Sequence, residues 1–254
     1  MTANQYLQDI LNRKSSTYFD SLNLNNISSI LYPLLKEWAN GQDDDIFIAG
    51  SSAKGTAIKG KSDLDIFISI KHSCSDTIKS LFNKLFSWLQ FKGFNNIRKQ
   101  NVSIGIKAYG CDIDIVPAKL QPGYTNYHWL YKSKIDSIQQ TNVKAQISHI
   151  RNSGRTSFIR LTKIWRNCWN LDFPSVNLEL VVIEALKYKA HNLSYSDGFL
   201  SVLDYLKNYF STARLVDPFN SNNIISEDMT NAEKISIQKK AKECRSYTYW
   251  RDII

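Results

Sequence analysis

The sequence predicts an α+β protein in two lobes, a strand-containing lobe followed by a helical one. Three observations carry that expectation. Short β-type runs occupy the first half, at residues 46–49, 64–70, 102–108 and 111–118. Helical apolar spacing dominates from Thr141 almost to the last residue. Pro122-Gly123 marks the change of character between them. The boundary is therefore expected near 120–140, dividing the chain into 1–130 and 131–254.

Residues 4–13 and 27–39 carry the spacing of amphipathic helices, and the second stops at Asn40-Gly41, a good helix end. A short strand follows at Ile46–Ala49, then the loop "GSSAKGTAIKGKS". DLDIFISI reads as a second strand, with Leu64, Ile66, Ile68 and Ile70 on one face and Asp63, Asp65, Phe67 and Ser69 on the other. Residues 77–91 form an amphipathic helix. VSIGIKA and CDIDIVPA are two β-runs joined at Tyr109-Gly110, the pattern of a hairpin. In the helical half, Phe158, Leu161, Trp165, Cys168 and Trp169 share one helix face. Arg155, Lys163 and Arg166 lie opposite, with Arg160 near the edge and no acid between Arg151 and Asn170. Such a stripe is either a solvated basic face or a wall for phosphates. VNLELVVIEALKY is apolar nearly all round and is expected to be a buried central helix.

The 254 residues are enough for a substantial core, and 43% hydrophobic with 22% charged residues is ordinary for a globular protein. No apolar run approaches the ~18–20 residues of a membrane helix, so no membrane partner is expected. The first residues, MTANQYLQDILNRKSS, lack the basic-then-apolar order of a secretory leader. The expectation is a cytoplasmic protein. Cys74, Cys111, Cys168 and Cys244 are far apart and form no zinc-binding spacing, which fits scattered reduced thiols. The net charge of +9 favours polyanions but does not name one.

Residues 50–65, "GSSAKGTAIKGKSDLD", set a flexible basic loop directly before two carboxylates. Asp63 and Asp65 are two apart on a strand, so both point the same way. Like charges at that distance repel unless a cation lies between them. The glycines expose backbone N–H groups, and the lysines add positive charge, which suits an anion. Carboxylates that hold a divalent metal beside a loop that holds phosphates are chemically coherent, since the metal bridges and neutralises the two. CDIDIVPA offers Asp112 and Asp114 as further carboxylates on a β-run. The loop is not read as a Walker A motif: GTAIKGKS has its spelling, but it leads into a strand and not into a helix.

With Gly50-Ser51, then Asp63 and Asp65, then Asp114 in DIVPA, the sequence resembles the polymerase-β-type nucleotidyltransferase superfamily. It is most similar to the oligoadenylate-synthetase and cGAS-like branch, including the bacterial CD-NTases of antiphage signalling, with archaeal CCA-adding enzymes as relatives. QTNVKAQISHIRN, FIRLTKIWRNCWNLDFPSVNLELVVIEAL and LVDPFNSNNIISEDMTNAEKISIQKKAKE carry the similarity to this branch. The resemblance covers roughly residues 45–245. It implies a bilobed nucleotidyltransferase fold, with a mixed-sheet catalytic lobe over 1–130 and a helical lobe over 131–254 that completes the nucleotide cleft. It implies that Asp63, Asp65 and Asp114 hold Mg²⁺ or Mn²⁺, and that Gly50 and Ser51 hold the triphosphate. Lys163 would reach the β- and γ-phosphates, and Ser175 would add a hydroxyl contact. Asp112 is disfavoured, because the family's aspartate directly precedes the two residues before the proline, as Asp114 does. Two departures stand out: Val176 replaces a base-stacking aromatic, and Val143 replaces a proline.

Three readings remain open at this level. One is a synthase that joins NTPs, ATP among them, into a short cyclic or linear oligonucleotide messenger. The second is template-independent addition to an RNA 3′ end, which the net charge of +9 favours. The third is a non-catalytic nucleotide- or RNA-binding module. Base choice, linkage, activator and oligomeric state are not legible.

Overall fold

The computed structural model describes residues 1–14, 21–108 and 110–254, with side chains in the second helix from Ile27 onward. In chain order the elements are α1 (Ala3–Lys14), α2 (Ser21–Ala39), β1 (Asp43–Ile48), α3 (Gly50–Lys54), β2 (Leu64–Ile70) and α4 (Ile78–Phe91). Then come β3 (Arg98–Lys99), β4 (Ile104–Ala108), β5 (Cys111–Leu120), β6 (His128–Lys132) and β7 (Ser137–Thr141). The helical half contains α5 (Val143–Asn152), α6 (Thr156–Cys168), α7 (Ser175–Ala185), α8 (Tyr195–Tyr209), α9 (Asn231–Cys244) and α10 (Trp250–Ile253).

Among the described residues the strands form one seven-stranded mixed sheet, ordered β1-β2-β5-β4-β3, with β6 on the end of β5 and β7 on β6. The decisive pairing is β2 with β5. It is parallel, and its register sets Leu64 opposite Ile113, Asp65 opposite Asp114 and Ile66 opposite Ile115. One sheet face is clamped by α2 and α4. Leu31, Leu35, Leu81, Phe82, Leu85 and Leu89 pack there on Leu64, Ile66, Ile68, Ile70, Ile113 and Ile115. That clamp follows from the sequence, because α4 repeats its large apolar residues at helical spacing. The opposite face holds a smaller cluster of Ala49, Phe67, Ala118 and Leu130. Hence β2 is buried on both faces, Phe67 and Ser69 included. Alternation sorts the residues between two faces, and a central strand is covered on both.

The β4–β5 hairpin is present, with Ala108 opposite Cys111 and Gly110 at φ +75°. The other residue of its expected turn, Tyr109, lies outside the described residues. β1 begins three residues earlier than expected, because Asp43 pairs with Ile70, and charged residues are well tolerated on an edge strand. The hairpin β6–β7 was not anticipated.

The chain divides into two compact units. One runs from α2 to Ser148 without residues 56–59, and the other combines α1, Thr56–Lys59 and His149–Ile254. These bounds differ from the expected 1–130 and 131–254 for two physical reasons. β6 and β7 extend the sheet past residue 130. Leu7, Ile10 and Leu11 of α1 join the helical core, where they cluster with Trp165, Leu203 and Phe199. In that core α7 is buried along Asn177–Val182, as its all-round apolar pattern predicts. A capping box, Thr230 with Glu233, starts α9, and Asp217 accepts from the Phe219 N–H to shape the turn before it. Among the described residues no helix is long and apolar enough to cross a membrane.

One polar chain is sealed inside the sheet unit. His128 is 3% exposed, with Nε2 2.8 Å from Ser69 Oγ and Nδ1 2.9 Å from the Asn126 carbonyl. A carbonyl only accepts, so Nδ1 carries the hydrogen and Nε2 receives the Ser69 hydroxyl. Burial pushes the imidazole below its ordinary value, more than Asp44 and Asp45 lift it. The depressed value means that the neutral ring contributes stability above pH ~6.5, and that this contribution is lost as pH falls. Chemical denaturation at pH 7.5 and 5.5 is therefore expected to show a lower unfolding free energy at the acid value. His128→Gln is expected to flatten that difference, and an unchanged slope in the variant would contradict the assignment.

Candidate active site

The loop between β1 and β2 is built around Gly50. Its φ is +56°, a region costly for residues with a side chain. A Cβ at this position would fall inside the Asp65 carboxylate. The Ala49 N–H donates to the Asp65 carbonyl at 2.8 Å, so backbone and carboxylate are fixed against each other. Gly50–Lys54 then make one short helix, α3, closed by Gly55 in the left-handed conformation. Ser51 sits in the first turn of α3, where backbone N–H groups lack helical acceptors.

The carboxylates form a two-by-two array. Asp65 and Asp114 are partners across β2 and β5, and their side chains share a sheet face. Asp63 precedes Leu64, and Asp112 precedes Ile113, which is Leu64's partner. The two carboxylates of β5 differ in their partners. Asp112 is paired with Arg98 of β3 at 3.3 Å. Asp114 instead accepts from Gln100 Nε2 at 2.8 Å and Ser103 Oγ at 3.4 Å. Burial and then the Asp63 charge push the Asp114 carboxyl upward, against the hydrogen bonds and Arg98. Burial and the Asp112 charge push Asp63 upward as well, with Arg98 opposing. Asp63 is exposed at the surface, so Asp114 is the better gauge of the crowding. In both cases burial is the larger cause and the neighbouring carboxylate the smaller one.

These donors fit a divalent cation in chemical type and register, since Mg²⁺ and Mn²⁺ take carboxylate oxygens. The oxygens do not yet converge. Among the described residues no group of three or more His, Cys, Asp or Glu side chains is gathered closely enough to hold a metal. Gln100, Ser103 and Arg98 were not singled out from the sequence. Their signal was weak, because they act from a two-residue strand and its turn.

In the helical unit the expected basic stripe is not an open wall. Arg155 is 4% exposed, and its guanidinium donates to the carbonyls of Leu186, Lys189 and Ala190 at 3.0, 2.7 and 3.0 Å. Lys163 is 2% exposed and donates to Glu179 at 2.8 Å and Thr56 Oγ1 at 2.9 Å. Arg166 is half-buried and donates to the Phe173 carbonyl and to Ser175 Oγ at 2.9 and 3.1 Å. Ser175 thus stands at the start of α7, held by Arg166, while Val176 beside it is exposed. The helical periodicity was sound, but it gives direction around a helix and not depth below the surface.

Comparison with known proteins adds the following. Residues 31–121 match the family model described as a nucleotidyltransferase domain. The match contains Gly50, Ser51, Asp63, Asp65 and Asp114, and ends before Lys163 and Ser175. The CBASS oligonucleotide cyclase CdnC of Escherichia coli (strain KTE188) is 24% identical over 176 residues, covering 62% of this chain and 56% of that protein. The cyclic AMP-AMP-AMP synthase of Escherichia coli (strain MS 115-1) is 26% identical over 178 residues, covering 62% and 55%. The chain thus spans little more than half the length of these curated relatives. The solved structure of E. coli MS115-1 CdnC with ATP superposes with a TM-score of 0.79 at 18% identity, covering 96% of this chain and 90% of that one. The fold is the mixed α+β nucleotidyltransferase fold of those proteins.

Two variants test the geometry. Gly50→Ala is expected to destabilise the protein by about 2 kcal/mol more than Gly41→Ala. Both glycines have positive φ, but Gly41 has open space where Gly50 meets Asp65. Equal losses in urea titrations would rule out the close approach. Arg155→Ala strips three carbonyls of their donor, leaves a cavity where the buried side chain stood and is expected to cost about 2–4 kcal/mol. A loss within ~0.5 kcal/mol, as for a solvated surface cation, would contradict the buried arrangement.

Proposed function

We propose that this nucleotidyltransferase-domain protein joins NTPs, ATP among them, into a short cyclic or linear oligonucleotide messenger, acting in the cytoplasm as part of antiphage signalling. The observation that carries the reading is the register of β2 and β5, which sets Asp65 beside Asp114 with Gly50 packed on Asp65. The likeness to oligonucleotide cyclases supports the product class.

In this proposal Asp63, Asp65 and Asp114 hold Mg²⁺ or Mn²⁺, which supplies charge neutralisation for the triphosphate and a lowered pKa for the attacking hydroxyl. Gln100 and Ser103 orient Asp114, so that its oxygens are aimed before substrate arrives. Gly50 lets the backbone come close to both Asp65 and a phosphate. Ser51 presents N–H and hydroxyl donors to the triphosphate. Lys163 and Ser175 contribute a cation and a hydroxyl to the same substrate. Asp112, engaged by Arg98, stays outside the metal set.

The net charge of +9 favours a second reading, addition of nucleotides to an RNA 3′ end. Incubation with Mg²⁺ or Mn²⁺ and labelled NTPs, with and without RNA, separates the two. Phosphatase-resistant product without RNA is expected, whereas label found only on added RNA would replace the first reading with the second.

Asp65→Asn and Asp114→Asn are each expected to lower incorporation at least 100-fold while the far-ultraviolet circular dichroism stays native. Asp112→Asn is expected to lower it less than fivefold. An Asp112 variant as inactive as the Asp114 variant would overturn the assignment of the third carboxylate.

A further inference from the structure

Lys163 sits in a buried three-residue cluster of the helical unit, and its two other members have no place in the reaction as set out above. Lys163 of α6, Glu179 of α7 and Thr56 are 2%, 2% and 0% exposed. The Lys163 ammonium lies 2.8 Å from Glu179 Oε1 and 2.9 Å from Thr56 Oγ1, and the Thr56 hydroxyl donates to the same Glu179 oxygen at 3.2 Å. Thr56 directly follows Gly55, which closes the short helix of Gly50 and Ser51, yet it groups with α6 and α7 in the helical unit. On α7, Ser175 and Glu179 are one turn apart, as Lys163 and Arg166 are on α6. Arg166 holds Ser175, and Lys163 holds Glu179. The Glu179 charge also acts favourably on Arg166.

An ion pair at this depth is costly to form, since both ions give up water. An aliphatic pair of the same volume would fill the space at less cost. A lysine that must stay charged out of water needs a fixed counter-charge, and Glu179 is that charge. We infer that Glu179 is a positioning residue, which keeps the Lys163 ammonium seated beside Thr56 so that it can serve the triphosphate of an incoming nucleotide. This rests on the reading of Lys163 as a triphosphate contact. Glu179 touches no substrate; it acts through Lys163 and Thr56. Losing its charge while keeping its shape would therefore weaken NTP use without altering the carboxylates that run the chemistry.

The test uses Glu179→Gln, Lys163→Met and the double variant Lys163→Met/Glu179→Leu, with wild type alongside. Melting temperature, KM for ATP and kcat are measured for each. Glu179→Gln is expected to raise KM at least tenfold with kcat within about threefold. The double variant, which removes both charges together, is expected to melt near wild type while its KM stays as high as that of Lys163→Met. Glu179→Gln with a KM within twofold of wild type overturns the inference. So does a double variant that recovers both melting temperature and KM, because the pair would then be a packing device alone. Wild type that neither incorporates NTPs nor is stabilised by them overturns the functional reading, and this inference with it.

Discussion

The sheet unit is organised around a repulsion. β2 and β5 run parallel in a register that sets Asp65 beside Asp114, with Asp63 and Asp112 one step further out. Four carboxylates in such an array repel, and burial together with that repulsion pushes Asp63 and Asp114 upward. The strands are held in register by apolar burial instead, with Leu64, Ile66, Ile68 and Ile70 fully buried against α2 and α4. The space for the carboxylates comes from glycine. Gly50 leaves room for Asp65, and a Cβ on Gly105 would come 2.8 Å from Gln100 Nε2 and 3.1 Å from Asp114 Oδ1. A core that imposes this register and two missing side chains that make room for it are the same design seen from opposite sides.

The helical unit handles charge in the opposite way. Its buried cations are matched within the unit: Lys163 by Glu179 and Thr56, Arg155 by three carbonyls beyond α7. A buried ion is tolerable only with such partners, and removing one of them costs far more than the pair itself contributes. In the carboxylate array Arg98 engages Asp112, while Gln100 and Ser103 donate to Asp114.

Much of this was legible in the sequence, and the limits are instructive. The helices α4, α6 and α7 were readable because their burial faces repeat at helical spacing. That Asp63, Asp65, Asp112 and Asp114 alternate along two strands was readable from the residues, whereas the preference for Asp114 over Asp112 came from the resemblance alone. The β6–β7 hairpin was not, since HWLYK mixes polar and aromatic residues and its turn lacks a glycine. α1 was placed with the strands by proximity in the chain, whereas Leu7 and Leu11 pack with Trp165 and Leu203, far along the sequence. The partners of Asp114 escaped notice for the same reason in miniature: Gln100 and Ser103 lie 14 and 11 residues away in an irregular segment.

The basic face of α6 shows why depth matters more than direction when function is argued from charge. Arg155, Lys163 and Arg166 lie together on a helical wheel, and as a stripe they would suit a long polyanion. In the fold their donors are engaged by acceptors 31–35 residues away for Arg155, 16 and 107 for Lys163, and 7 and 9 for Arg166. A guanidinium spent on three backbone carbonyls releases no counterion when a phosphate chain approaches, so it adds nothing to salt-dependent binding. The net charge of +9 therefore overstates the positive surface offered to RNA, since it counts cations whose valence is consumed inside the protein. A mononucleotide asks for less: a few donors at short range and a place for its accompanying metal. In the proposed function a mononucleotide draws on the clustered carboxylates with Gly50 at their edge and, from the stripe, on Lys163 alone.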